Sequence, residues 1–223
     1  MGSDDLFRKR KAKSAKQLRR NRSKKEPYAK VLIVCEGEKT EPNYFLGIKN
    51  HYEINTSNIK IVGDGGASPV NIWADAKRLY KEAKDSGDEY DKVYCVFDKD
   101  SHAGYYEVCK SINESVPKNV YHCITSVPSF EYWLLLHFVY TDRPYQNLPN
   151  NSAANQVLTD LKAHIPNYKK GSDNIFEMLF DQLPNAKSSA KAILATAQRN
   201  DTDNPSTNMF ELVEFLQKIK KQE

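Results

Sequence analysis

The sequence holds no uncharged apolar run approaching the roughly 20 residues that a membrane-spanning helix needs, which excludes a helical membrane protein. Cysteine is scarce. Cys35, Cys95, Cys109 and Cys123 form no Cys-x-x-Cys pair, so a disulfide framework is not expected. Three of them lie in or beside strand-like runs, and all read as reduced, buried cysteines of a cytosolic protein, with zinc the lesser alternative. The opening Met1-Gly2-Ser3-Asp4-Asp5 lacks the apolar centre of a secretory signal, so the expected location is the cytoplasm. Internal repeats and coiled-coil heptads of useful length are also missing, which removes solenoids and long zippers. What remains is a 223-residue chain, 39% hydrophobic and 28% charged, long enough to bury the core of one domain with embellishments.

The net charge of +4 conceals an asymmetry, because residues 1–30 carry a balance of +9 and the rest a balance of −5. From Arg8 to Lys25 the only large apolar side chain is Leu18, so this stretch cannot bury enough surface to fold alone. Arg8, Lys9, Arg10, Lys11, Arg19, Arg20, Arg22, Lys24 and Lys25 are the candidate nucleic-acid contacts, since each lysine or arginine that neutralises a phosphate releases a condensed counterion. The competing reading is a solubilising extension without a specific partner. Residues 1–27 are therefore set apart as a basic, flexible tail.

Beyond the tail, apolar strands alternate with helical patterns, as βαβ units with a mainly parallel sheet require. Strands are expected near 30–35, 58–62, 91–97 and 120–125, with helices near 41–50, 69–86 and 102–115. The second helix is the best punctuated: Ser68 can cap it, Pro69 suits its first turn, and Trp73, Ala76, Leu79, Tyr80 and Ala83 form a core stripe. The preceding Gly63-Asp64-Gly65-Gly66-Ala67 lacks the spacing of a known phosphate-binding loop and reads equally as a tight turn. After Pro128 no strand is expected, and helices are placed near 128–140, 152–164, 173–182, 186–199 and 206–221. The expected architecture is thus an α/β core over 28–127, a mainly parallel sheet of about four strands flanked by helices, with a helical region over 128–223 packed on it.

Two of the strands end in carboxylates. Val31-Leu32-Ile33-Val34-Cys35 runs into Glu36-Gly37-Glu38, and Val93-Tyr94-Cys95-Val96-Phe97 into Asp98-Lys99-Asp100. Open parallel sheets bind ligands at the carboxyl ends of their strands, and hard oxygen ligands with open positions suit Mg²⁺ or Mn²⁺. Glu36, Asp98 and Asp100 are the expected metal and catalytic residues, able to hold one or two ions for phosphate chemistry. Taken singly, each motif would read as a solvated turn or a helix cap.

The segment Val31 to Phe45, the Asp98-Lys99-Asp100 element and Pro128-Ser129-Phe130-Glu131-Tyr132-Trp133-Leu134-Leu135-Leu136-His137-Phe138 resemble the RloB-like family of bacterial phage-defence proteins, a likeness that runs on to Asn204-Pro205-Ser206-Thr207. The resemblance implies a Toprim-like domain, in which a glutamate after the first strand and an Asp-x-Asp after the third gather Mg²⁺ for strand cleavage. Glu36 matches the former, and Asp98 with Asp100 the latter. It also implies a role in abortive infection, with a separately encoded ATPase as partner. No Gly-x-x-x-x-Gly-Lys-Ser/Thr loop occurs in this chain, so any gating by nucleotide hydrolysis is expected from that partner.

Further candidates surround these. Glu131 opens an intensely apolar helix and must be paired, protonated or metal-bound there, although a first-turn acid is also favoured by the helix dipole. Glu38 and Glu41 are near enough to assist Glu36. Lys39, Lys99 and Lys170 can each steady charge on phosphate, although each taken singly reads better as a solvated lysine; Tyr168-Lys169-Lys170-Gly171 resembles a family segment, which raises Lys170 slightly as a catalytic candidate. His137 reads as a hydrogen-bonded core residue, and Ser129 as a cap for the next helix. The expected function is a Mg²⁺-dependent nuclease acting on DNA or RNA. The alternatives are a nucleic-acid-binding subunit without its own catalysis and, less favoured, a small-molecule phosphotransferase, which would need its nucleophilic Asp after the first strand.

Overall fold

The structure, a computed structural model, describes residues 28–63, 68–99 and 104–219. The basic stretch Arg8 to Lys25, Asp100, and residues 64–67 of the glycine-rich loop lie outside the described residues.

The β-branched runs form four parallel strands, β1 (Val31–Cys35), β2 (Ile59–Gly63), β3 (Lys92–Asp98) and β4 (Tyr121–Val127). A fifth, β5 (Ser206–Thr207), pairs antiparallel with β4, and the sheet order is β2-β1-β3-β4-β5. This fifth strand corrects the expectation that nothing after Pro128 is extended. Two residues are too few to display a period, and the strand is held by its partner: the Ser126 and Thr207 hydroxyls lie 2.9 Å apart. Asn208 then continues the edge with its side chain, accepting from the Thr125 N–H at 2.7 Å and donating to the Cys123 carbonyl at 2.9 Å. These bonds supply what a longer strand would have given β4.

Helices cover both faces. The first crossover helix, α1 (Thr40–His51), packs with Ile33, Tyr94 and Val96 on one face, while α2 (Pro69–Asp85) and α3 (Tyr105–Glu114) pack with Leu32, Val34 and Cys95 on the other. The chain therefore reverses its winding between β1 and β3, which opens a crevice at their carboxyl ends. In α2 the expected punctuation is present: the Ser68 hydroxyl accepts from Asn71 N–H at 3.4 Å, Pro69 opens the helix, and Ile72, Ala76 and Tyr80 are buried.

The remaining helices are α4 (Phe130–Leu135), α5 (Ala153–His164), α6 (Ile175–Leu179), a 3₁₀ turn at Phe180–Gln182, α7 (Leu183–Arg199) and α8 (Met209–Lys218). They lie on the α1 face, where Trp133, Phe176, Ile193 and Leu212 join Val31 and Ile33 in one continuous apolar cluster. The helix expected over 128–140 is only six residues long. Phe130 to His137 is buried without a break, so no polar face marks a helical period, and the chain then emerges at Phe138, Val139 and Tyr140. Among the described residues no helix is long and apolar enough to cross a membrane.

His137 sits inside this cluster, as expected of a core histidine. Its Nδ1 hydrogen-bonds to the Trp133 and Leu134 carbonyls at 3.0 and 3.2 Å, and its ring packs against Trp133 and Tyr44. Burial pushes its pKa down from 6.5 to about 4, against the pull of those two carbonyls. The unfolded chain thus takes up this proton first as pH falls, so this group's contribution to stability is lost between pH 6.5 and about 4. The loss amounts to about 3 kcal/mol at most. Urea titrations across that range are expected to show the slope in the wild type and a flatter profile in His137→Leu. Parallel profiles would contradict it.

Candidate metal centre

The site is assembled at the carboxyl edge of the sheet. The Glu36 backbone N–H donates to Val96 at 2.9 Å, carrying the β1–β3 ladder one residue past β1. Its carboxylate then turns across the crevice and accepts the Asp98 N–H through Oε2 at 2.9 Å. The two strand-end acids are therefore neighbours, as their positions in the sequence imply. The Asp98 residue as a whole keeps some exposure, but its carboxyl group is enclosed, and a backbone hydrogen bond from Phe130 reaches it.

Two further acids join them from other elements. Glu41, in the first turn of α1, is only 6% exposed, and its carboxyl group folds back against Gly37, where an added Cβ would meet Glu41 Oε2 at 2.0 Å. Glu131, in the first turn of α4 and 2% exposed, arrives from the end of β4. Burial raises the pKa of Asp98 well above its usual value, and repulsion from Glu41, Glu131 and Glu36 adds to the rise. Burial also raises that of Glu41; hydrogen bonds from its own and the Gly37 backbone oppose this, while Glu131 and Glu36 reinforce it. Carboxylates from β1, α1, β3 and α4 thus crowd one edge. Glu38, by contrast, is exposed.

A lysine answers part of this charge. The loop after Tyr168 is pinned to the start of α1, with Gly171 N–H donating to Thr40 Oγ1 at 3.0 Å and Asn43 Nδ2 donating to the Gly171 carbonyl at 2.9 Å. Lys170 is thereby brought to Glu131 Oε1 at 2.9 Å, with its side chain 61% exposed. Burial works against its charge, but Glu131, Asp98 and Glu41 outweigh it and raise its pKa. Tyr168 also donates to Glu131 Oε1, at 3.4 Å. Ser129 occupies the cap position of α4, yet its hydroxyl donates to Glu131 Oε2 at 2.9 Å and accepts no hydrogen bond from the helix backbone, which corrects its reading as a cap.

The other lysines are placed differently. Lys99 is held by both Asp203 oxygens at 2.7 Å and by the Tyr106 hydroxyl, so it clasps the end of β3 to α3 and to the segment before β5. Its pairing with Asp203 spans 104 positions, which no local sequence signal announces. Lys39 is exposed, beside Gly171.

Carboxylates are hard donors of the kind Mg²⁺ and Mn²⁺ prefer, and their mutual repulsion is what a divalent cation would relieve, so the residues fit such an ion by donor type and charge. As they stand, no three His, Cys, Asp or Glu side chains among the described residues are grouped to grip one. Glu36, Asp98 and Glu131 already hold hydrogen bonds, and Asp100 lies outside the described residues.

A family model for RloB-like proteins matches residues 31–216, from the first residue of β1 into α8. Comparison with curated proteins finds no match.

Proposed function

The chain belongs to the RloB-like protein family, and from that premise we propose that it is a divalent-metal-dependent nuclease of Toprim type, hydrolysing phosphodiester bonds of DNA or RNA in bacterial anti-phage defence. The supporting observation is the convergence of Glu36, Glu41, Asp98 and Glu131 at the crevice between β1 and β3, with the pKa of Asp98 and Glu41 raised by burial and by one another. Such crowding of like charge costs stability and is characteristic of functional sites.

In this reading Glu36, Asp98, Asp100 and Glu131 hold Mg²⁺ or Mn²⁺. When bound, the ion supplies charge stabilisation at the scissile phosphate. Glu41, which takes up a proton more readily than an ordinary carboxylate, is suited to accept one from the attacking water. Lys170, anchored on Glu131 but largely exposed, offers its ammonium to a phosphate oxygen. The basic stretch from Arg8 to Lys25 draws the polyanion in, and a separately encoded ATPase supplies any nucleotide-driven gating. In this reading the protein works in the cytoplasm, which its free thiols support.

A second reading is a nucleic-acid-binding subunit without its own catalysis. It is favoured by the hydrogen bonds already made by Glu36 and Glu131 and by the net acidity outside the basic tail. A mixed DNA and RNA panel incubated with the full-length protein, with Mg²⁺, Mn²⁺ or EDTA, separates the two. Cleavage that needs the ion supports the nuclease. Binding that survives EDTA, depends on residues 8–25 and is never followed by cleavage supports the subunit.

A further inference from the structure

We propose that Cys109 and Cys123 form a peroxide-responsive dithiol that closes into a disulfide between α3 and β4. Their sulfur atoms lie 3.2 Å apart although the residues are 14 positions apart in sequence, and both side chains are partly exposed. The Cys123 thiol donates to the Cys109 sulfur, which leaves Cys109 as the acceptor and the better nucleophile of the two.

The surroundings favour the same assignment. The hydrogen bond from Cys123 lowers the Cys109 pKa; burial opposes this, and hydrogen bonds from Tyr105 and the Cys109 backbone assist it. The same hydrogen bond, together with burial, pushes the Cys123 thiol up. Cys95 lies opposite Cys123 in the β3–β4 register but is fully buried, and Cys35 is fully buried in β1, so an oxidant meets Cys109 and Cys123 first.

The oxidant is a hydroperoxide. The Cys109 thiolate attacks one peroxide oxygen, the O–O bond breaks, and the departing hydroxide takes up a proton as water, leaving a sulfenic acid on Cys109. The Cys123 sulfur then attacks the Cys109 sulfur, the S–O bond breaks, and hydroxide leaves with the Cys123 proton as a second water. Two thiols and one hydrogen peroxide thus give one disulfide and two waters, with two electrons passing from sulfur to oxygen. Bond formation needs the sulfurs to close from 3.2 Å to the ordinary disulfide length of about 2.05 Å. The product ties Tyr105–Glu114 covalently to Tyr121–Val127.

The test is treatment of the full-length protein with a small excess of hydrogen peroxide, followed by alkylation and tryptic mapping. Lys110 and Lys118 lie between the two cysteines, so a bridge appears as two linked peptides. The expected result is loss of two hydrogens, a Cys109–Cys123 linked pair that dithiothreitol separates, and much slower closure once guanidinium unfolds the protein. In Cys123→Ser, dimedone is expected to label Cys109. Full alkylation of both cysteines in peroxide-treated wild type, or a bridge made through Cys95 or Cys35, would overturn the proposal whether or not the protein is a nuclease.

Discussion

Asp98→Asn is expected to lower metal-dependent cleavage about 10²-fold or more while making the metal-free protein more stable by about 0.5–2 kcal/mol. The two signs follow from one arrangement. The Asp98 carboxyl is pressed by burial and by three neighbouring acids, so its folded pKa stands above its ordinary 3.8. A group raised in this way contributes its full stability only below the unfolded pKa, and that contribution is lost as pH rises through the folded value. At neutral pH the charge therefore strains the fold. Asparagine removes the charge and keeps an oxygen for the Phe130 backbone bond. Activity on the nucleic-acid panel and urea melts in EDTA measure the two effects. Wild-type cleavage by Asp98→Asn would sink the catalytic assignment, and a less stable Asp98→Asn would make the carboxylate a structural element instead.

Gly63→Ala is expected to cost about 1–3 kcal/mol through overpacking and, under the proposed function, to reduce cleavage about 10²-fold by displacing the turn that carries the proposed metal ligand Glu36. A Cβ at this position would lie 2.5 Å from the Gly37 carbonyl oxygen and 2.9 Å from that of Glu38. It would also stand 2.8 Å from Pro42 Cγ. None of these is the loose end of a flexible side chain. The turn from Glu36 to Glu38 must shift to admit the methyl group, and Glu36 shifts with it. Lys60→Ala, at an exposed position of the same strand, is the control expected to leave both quantities unchanged. Denaturant melts and initial cleavage rates of the two variants decide the matter, and a Gly63→Ala protein indistinguishable from the control would show that the turn tolerates movement.

The parts of this architecture that could be read from the residues are those with a local cause. β1 and β3 announce themselves because an apolar β-branched run stops at an acid, and α2 because Ser68, Pro69 and a helical apolar spacing agree. The two strands are adjacent in the sheet, in a register that places Cys35 opposite Val96. Where burial is unbroken, as from Phe130 to His137, periodicity carries no information and the residues alone do not mark where the helix ends. Ser206–Thr207 carries no local strand signal because its extended form is imposed by β4. The site divides along the same line. Glu36 and Asp98 stand where the strand-end rule puts them, and Glu41, four positions from Gly37, folds back onto it within one turn, but the seating of Lys170 on Glu131 and the seizure of Lys99 by Asp203 are long-range outcomes. Of the cysteines, Cys35 and Cys95 are buried as expected, whereas Cys109 and Cys123 are partly exposed because they sit at the margin between α3 and β4.

The brevity of β5 and the amide of Asn208 bear on whether a foreign strand can add to this sheet. By capping the outer rim of β4, they leave an intruding strand few open backbone groups there to zip onto. The opposite rim is β2, where the outward-facing Lys60 sets a charge against any edge-to-edge stacking. A largely parallel sheet, slow to assemble and sticky while incomplete, is thus fenced at both borders against polymerisation.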